Sequence, residues 1–446
     1  MRDFRRVRRN FEHGEHPAHF KANTADLTIQ RVQFGKDYVM PHGQHIAVTA
    51  QAVVAAGERG MRGQLIAEPG GFVSTGLHSP VTGTVREIGD FRGVDGRFAP
   101  AIAIEADAFA TQQVDAGDGI DWEALSLDEF IKAVQMAGIV GMGGAAFPAH
   151  VKLSVPDGVT IRHLLINGAE CEPYLTTDHR LMLERPEALL EGAEIMRRKL
   201  GAEEIVIGIE ANKPDAIETI QKHIAPGDPV RVVPLKVKYP QGAEKMMIKS
   251  VFDVEVPAGQ LPRDVGVNVN NVGTIVAIAD YFLRGIPLIE RVVTVAGPGV
   301  TYPANLIVPL GTPVRDVVKF CGGLKPGTRE MIMGGPMMGR PIASLDVPIL
   351  KGCSGVLVFT EAETARRKEY PCISCGRCLE ACPYFLNPSR LARLSKSRMF
   401  DEMKAYNVFD CVECGCCTFA CPSNIPIVQL IRTAKDDLTH RKEPDA

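Results

Sequence analysis

The chain reads as a multidomain α/β protein: a small β module, an α/β body, a second small β module and a helical, cysteine-rich end. Apolar strands alternate with helical periods from His163 to Phe282, the pattern of a doubly wound parallel sheet. Residues 26–106 are rich in Val, Ile and Gly with short polar breaks and no long helical period, which predicts short strands. A run of four cysteines closed by proline occurs twice between Cys372 and Pro422. With 446 residues and 45% hydrophobic content there is material for about three or four separate cores.

Composition excludes some functions. A net charge of −3 offers no concentrated basic surface, so nucleic acid is not expected as a partner. Arg2, Arg5, Arg6, Arg8 and Arg9 predict a flexible basic arm within residues 1–25, suited to an anionic membrane surface or an acidic partner. No apolar run approaches the roughly 18 residues that cross a bilayer, and no apolar stretch follows the basic start as in a secretory signal. A soluble chain is expected.

Within residues 26–106, Leu77-His78-Ser79-Pro80-Val81-Thr82-Gly83-Thr84-Val85 looks like the turn-bearing half of a biotinyl/lipoyl-type barrel sandwich. The lysine that would carry a prosthetic group is missing, and an ordinary hairpin accounts for the stretch equally well. Docking or scaffolding is the role expected of it.

The α/β body spans 120–285. A helix predicted over 122–137 hands over to Gly138-Ile-Val-Gly141-Met-Gly143-Gly144-Ala-Ala-Phe147-Pro148. Bare glycine backbone lets N–H groups approach a phosphate or a flat ring, although a plain tight loop has the same look. Lys152 follows closely enough to neutralise a phosphate, though a single lysine is commonly just a surface residue. The apolar strand His163–Ile166 opens onto Asn167-Gly-Ala-Glu170-Cys171-Glu172-Pro173; polar residues at the carboxyl end of a buried strand are where open α/β sheets bind ligands, and an exposed turn is the alternative. Helices over 186–200, up to 223 and over 242–252 alternate with strands over 204–209 and 230–233. Val267-Asn-Val-Asn270-Asn271-Val-Gly-Thr274 precedes an apolar helix, whose start Asn271 and Thr274 would cap or help to hold an anion.

Residues 286–360 shift to short strands over 291–296 and 306–310, a helix over 314–320 and a Gly334–Gly339 loop, the outline of a small β-grasp (SLBB-like) module serving as a rigid spacer. A charged linker, 361–368, leads into the last module, 361–446. Here Cys372-Ile-Ser-Cys375-Gly-Arg-Cys378-Leu-Glu-Ala-Cys382-Pro383 recurs as Cys411-Val-Glu-Cys414-Gly-Cys416-Cys417-Thr-Phe-Ala-Cys421-Pro422. In the spacing C-x2-C-x2-C-x3-C-P, three thiolates on a tight loop reach three irons of one 4Fe-4S cubane and the fourth ligates the other cluster. One cluster is therefore assigned to Cys372, Cys375, Cys378 and Cys421, the other to Cys411, Cys414, Cys417 and Cys382. Zinc spacings and disulfide frameworks account for neither complete run. Thiolate ligands require a reducing compartment, hence a cytoplasmic placement with Cys171, Cys321, Cys353 and Cys416 as free thiols. Cys416 is off register, a packed residue more than a ligand. Between the runs, Leu391, Leu394, Met399, Met403 and Tyr406 predict a helical insert. Such clusters move single electrons, so the rest of the chain must supply donor and acceptor.

Together these motifs, with His13-Gly14-Glu15-His16-Pro17 near the start, resemble the C subunit of the Rnf complex, the ion-translocating ferredoxin:NAD oxidoreductase of bacteria and archaea. The central domain is similar to the NADH- and FMN-binding subunit of respiratory complex I. The resemblance implies a Rossmann-like FMN/NADH domain in which Gly141, Gly143, Gly144, Phe147 and Lys152 lie on a noncovalent FMN, and Asn167, Asn270, Asn271 and Thr274 hold its ring or phosphate. Glu170, Glu172 and Glu244 would meet NAD(H). Met142, Ala146, Ala169 and Val155 stand where complex I has arginine, glycine, aspartate and an adenine-stacking aromatic residue, departures that bear on the nucleotide more than on the flavin; His13 departs from a double glycine. The implied partners are the other subunits of a membrane-embedded complex, a ferredoxin or ferredoxin-like subunit and NAD(H). The implied location is peripheral, on the cytoplasmic face of the inner membrane. The rivals are a soluble flavin and iron-sulfur corrinoid reductase, disfavoured by the sandwich lying upstream of the glycine loop, and an electron-relay scaffold without nucleotide turnover.

Overall fold

A computed structural model describes residues 9–440 apart from 115, 116, 118, 157 and 366. At its centre a four-stranded sheet, all parallel, has the order Val230–Leu235, Glu204–Glu210, His163–Gly168, Val267–Asn271. The chain starts in an inner strand, moves outward twice and returns to the opposite side. That reversal opens a crevice at the carboxyl ends of His163–Gly168 and Val267–Asn271, where doubly wound sheets bind their ligands. Asn167 and Asn271 lie opposite each other at that edge.

Helices Thr177–Glu184, Pro186–Leu200, Pro214–His223, Glu244–Phe252 and Val272–Arg284 complete the body. The helix expected over 122–137 begins only at Leu127, because Ser126 and Glu129 form a reciprocal capping box that fixes its start. Pro186–Leu200 meets Val272–Arg284 so closely at Gly192 that an added Cβ would stand 2.2 Å from the Ile275 carbonyl oxygen. Gly192→Ala must part these helices, and a loss of about 3 kcal/mol in urea-unfolding free energy is expected.

The first β module has two antiparallel sheets: Asp37–Pro41, Phe98–Ala106, Gly83–Arg92 and Arg59–Gly60, and Gln51–Ala52, Leu65–Glu68 and Leu77–His78. Its core is continuous with that of the α/β body, Tyr38, Met40 and Ile66 joining the same apolar cluster as Phe130 and Phe282. One strand departs from expectation. Ile29–Arg31 pairs in parallel with Ala304–Pro309 and so extends the sheet of the second β module, a six-stranded sheet that includes Glu290–Ala296, Gly355–Thr360 and Thr328–Met333.

The described part of the arm, residues 9–25, is also held in place. Phe11 is buried beneath Lys238, Gly14 N–H donates to the Ala381 carbonyl and Lys21 is enclosed against Glu170; Arg2, Arg5, Arg6 and Arg8 lie outside the described residues. In the last module helices Pro388–Lys396 and Ile427–His440 pack through Leu391, Leu394, Ile427 and Ile431. The rest of the expected helical insert is wound as short 3-10 turns, Asp401–Tyr406 and Val408–Asp410.

Candidate functional site: a switch-point crevice and two cysteine cavities

The glycine loop lies against the start of Val272–Arg284. Thr274 Oγ1 accepts from Met142 N–H at 2.9 Å and donates to the Val140 carbonyl at 3.2 Å, while Gly141 N–H donates to the Phe147 carbonyl at 2.7 Å. Gly144 has φ +118°, and a Cβ added there would meet nothing within 4 Å; a side chain would project into the space over the loop. Asn271 caps the helix through Gly273 N–H at 2.8 Å and donates to Asp178 at 2.7 Å. Burial and neighbouring Glu170 push the Asp178 carboxyl up to about 7, against the pull of Arg291.

Asn167 donates to the Gly242 carbonyl at 2.8 Å and accepts from Ala169 N–H, which fixes its orientation at the strand end. Lys152 pairs with Glu244 and donates to the Val269 carbonyl at 3.2 Å. Asn268 donates to the Lys152 carbonyl and accepts from Asn270 at 2.5 Å. The loop, Lys152, Asn167 and Asn271 thus lie along one crevice rim, whereas Thr274 and Asn270 are buried beneath it.

Two of the expected nucleotide carboxylates are engaged elsewhere. Glu170 accepts from Asp178 N–H at 2.8 Å, Thr177 Oγ1 at 3.1 Å and His179 N–H at 3.3 Å, so its charge satisfies the free amides at the start of Thr177–Glu184. Glu172 accepts from Met337 N–H at 3.0 Å and Met338 N–H at 2.9 Å, both in the Gly334–Gly339 loop of the second β module. Burial pushes its carboxyl up to about 7.

In the last module the two cysteine runs repeat their backbone as well as their spacing. Ser374, Gly376 and Phe385 have positive φ (55°, 78°, 54°), and so do Glu413, Gly415 and Asn424 at the equivalent places (60°, 85°, 52°). Left-handed non-glycine residues are strained, and the same three positions in both runs mark a shared geometric requirement. Cys372, Cys375, Cys378 and Cys421 line one cavity, and Cys382, Cys411, Cys414 and Cys417 line the other. Each cavity therefore joins the first three in-register cysteines of one run to the last cysteine of the other, and off-register Cys416 also lines the second. Burial pushes Cys411 up to about 11, and burial with crowding by other cysteines raises Cys378 and Cys417. Several thiolates together need cationic iron to balance them. Among the described residues no group of three or more His, Cys, Asp or Glu is placed to hold a single metal ion.

Residues 134–280 match the Nuo51 FMN-binding domain family, 9–109 the RnfC barrel sandwich hybrid domain, 292–341 the SLBB domain and 370–425 the 4Fe-4S dicluster domain. The chain is 45% identical to the C subunit of the proton-translocating ferredoxin:NAD(+) oxidoreductase complex of Clostridium ljungdahlii, covering 96% of this chain and 94% of that one. The chain belongs to this family of C subunits. It is also 39% identical to the C subunit of the Na(+)-translocating complex of Acetobacterium woodii (96% and 97% covered) and 40% identical to the C subunit of the ion-translocating oxidoreductase complex of Rhodobacter capsulatus (96% and 83%). No helix among the described residues of this C subunit is long and apolar enough to cross a membrane.

A chain of contacts links the crevice to the inner cavity, that of Cys382, Cys411, Cys414 and Cys417. Cys171 Sγ lies 3.4 Å from Gly242 N, whose residue also accepts from Asn167, and Tyr239 donates to the Cys414 carbonyl at 2.8 Å. Tyr239, Ala381 and fully buried Cys416 form a small apolar core there, with Cys171, Met337 and Cys414 packed against it. The other cavity faces outward, with Cys372 and Cys375 exposed. Sequence reasoning missed Tyr239, Asp178, Arg291 and Lys351. Lys351 is enclosed, donating to the Gly76 and Gly138 carbonyls at 2.7 Å and to Thr75 at 3.2 Å, and burial lowers it to about 7.

Proposed function

We propose that this protein is the peripheral, cytoplasmic-face electron-transfer arm of a membrane-embedded ion-translocating oxidoreductase. In this reading the crevice holds FMN and the cysteine cavities hold two 4Fe-4S clusters. The observation that carries it is a chain of contacts: Asn167 and Gly242 at the crevice join through Cys171 and Tyr239 to Cys414 and Cys416, which line the inner cavity. FMN, when bound, exchanges a hydride with NAD(H) and single electrons with clusters. The protein's own part is to hold these groups in line. The loop Gly141 to Phe147 presents bare backbone, Lys152 with Glu244 flanks the rim, and Asn271 and Thr274 set the helix start. Cys372, Cys375, Cys378 and Cys421 would hold the outer cluster, which faces a ferredoxin-like partner. NAD(H) would approach over the loop, with Glu244 as the carboxylate at the rim; Glu170 and Glu172 take part only if their present amide partners release them.

Protein purified without oxygen should carry about eight irons and, on acid precipitation, release one FMN per chain. Anaerobic mixing with NADH should bleach the flavin and then the cluster absorbance. Flavin content without any bleaching would replace this reading by an electron-relay scaffold.

A further inference from the structure

Arg291 is buried in strand Glu290–Ala296 of the second β module, yet its guanidinium reaches into the α/β body. Nε donates to the Cys353 carbonyl at 3.0 Å and Nη2 to the Met142 carbonyl at 2.7 Å. Met142 is the second residue of the glycine loop, and its own N–H is held by Thr274. Burying a guanidinium is unfavourable, and it is offset by the neighbouring Asp178 and Glu170 carboxylates as well as by the two carbonyl acceptors. The peptide plane gives a reason for the arrangement. In a trans peptide the C=O and the following N–H point in opposite directions. With the Met142 carbonyl drawn down to Arg291, the N–H of Gly143 is turned to the other face of the loop. That face is open: Gly143, Gly144 and Ala145 are exposed, and among the described residues no protein acceptor takes the Gly143 N–H.

We propose that Arg291 is a positioning residue which, through the Met142 carbonyl, aims the Gly143 N–H at electron-rich acceptor atoms of the flavin and so makes filling of the crevice depend on the second β module. The proposal rests on the flavin reading above. It gives that module a task beyond spacing, and a guanidinium reaches the loop from outside where Met142 itself supplies none.

The test uses Arg291→Met and Arg291→Lys in the full chain, stripped of flavin and titrated anaerobically with FMN and, separately, with riboflavin by fluorescence quenching. Arg291→Met should weaken FMN binding about ten- to a hundredfold while the EPR signals of both clusters persist. A loss confined to FMN puts the acceptor on the phosphate; an equal loss for riboflavin puts it on the ring. Arg291→Lys keeps the charge and one donor, should recover part of the affinity, and is the variant to read if the methionine form does not fold. An arginine that only braces the modules would lower Tm and leave the Kd of folded protein unchanged, which overturns the proposal. Wild-type protein that binds neither flavin would instead remove the flavin reading itself.

Discussion

A chain carrying Cys382→Ser is expected to purify with about four irons in place of about eight, and the cluster it lacks is that of Cys411, Cys414 and Cys417. The change lies in the first cysteine run, yet Cys382 lines the cavity of the second. The reciprocal Cys421→Ser should remove the cluster of Cys372, Cys375 and Cys378, whose cavity Cys421 lines. The two losses have different consequences because the cavities stand at different depths. Without the inner cluster, NADH should still bleach the flavin, but the outer cluster should stay oxidised on the stopped-flow timescale. Without the outer cluster, flavin and inner cluster should still equilibrate. Iron analysis with EPR of both variants decides it: selective loss of the outer cluster in Cys382→Ser would refute the exchange of ligands between runs.

The cysteine spacing made this much of the site legible, because a fixed chemical group dictates both spacing and loop conformation. The strand–helix alternation gave the body for a similar reason: parallel strands buried on both faces are apolar throughout and announce themselves. What the sequence hid is what depends on packing between modules. Ile29–Arg31 reads like any short strand beside its neighbours, and only the third dimension pairs it with Ala304–Pro309. Arg291 at the start of an apolar strand looks like a solvent-facing end until another module covers it. Glu170 and Glu172 were legible as acids at a strand end, but the amides that claim them come from 178–179 and 337–338, and no local pattern signals that.

Glu172 carries the second large effect. Its carboxylate receives two amides of the Gly334–Gly339 loop, and that loop in turn sits on the cluster module, since a Cβ added at Gly415 would stand 2.9 Å from the Met337 carbonyl oxygen. The acid thus ties the crevice module to the ligand run of the inner cluster. Glu172→Ala leaves the half-buried Met337 amide and the more exposed Met338 amide without their acceptor, an expected loss of about 2 kcal/mol. Gly335→Val reaches the same end by another route, because its Cβ would stand 2.3 Å from Glu172 Oε2 and force the carboxylate off the amides. Both variants should exchange the amide hydrogens of Met337 and Met338 faster and slow electron transfer from flavin to cluster, with FMN content unchanged. If Glu172 served instead as an acceptor for the ribose hydroxyls of NADH, the two variants would part company. Glu172→Ala would then slow flavin bleaching by NADH and relax discrimination against NADPH, while Gly335→Val, which keeps the carboxylate and frees it from the loop, would leave NADH bleaching intact or quicken it. Parallel behaviour of the pair supports the tie between modules, and divergence of this kind would discard it.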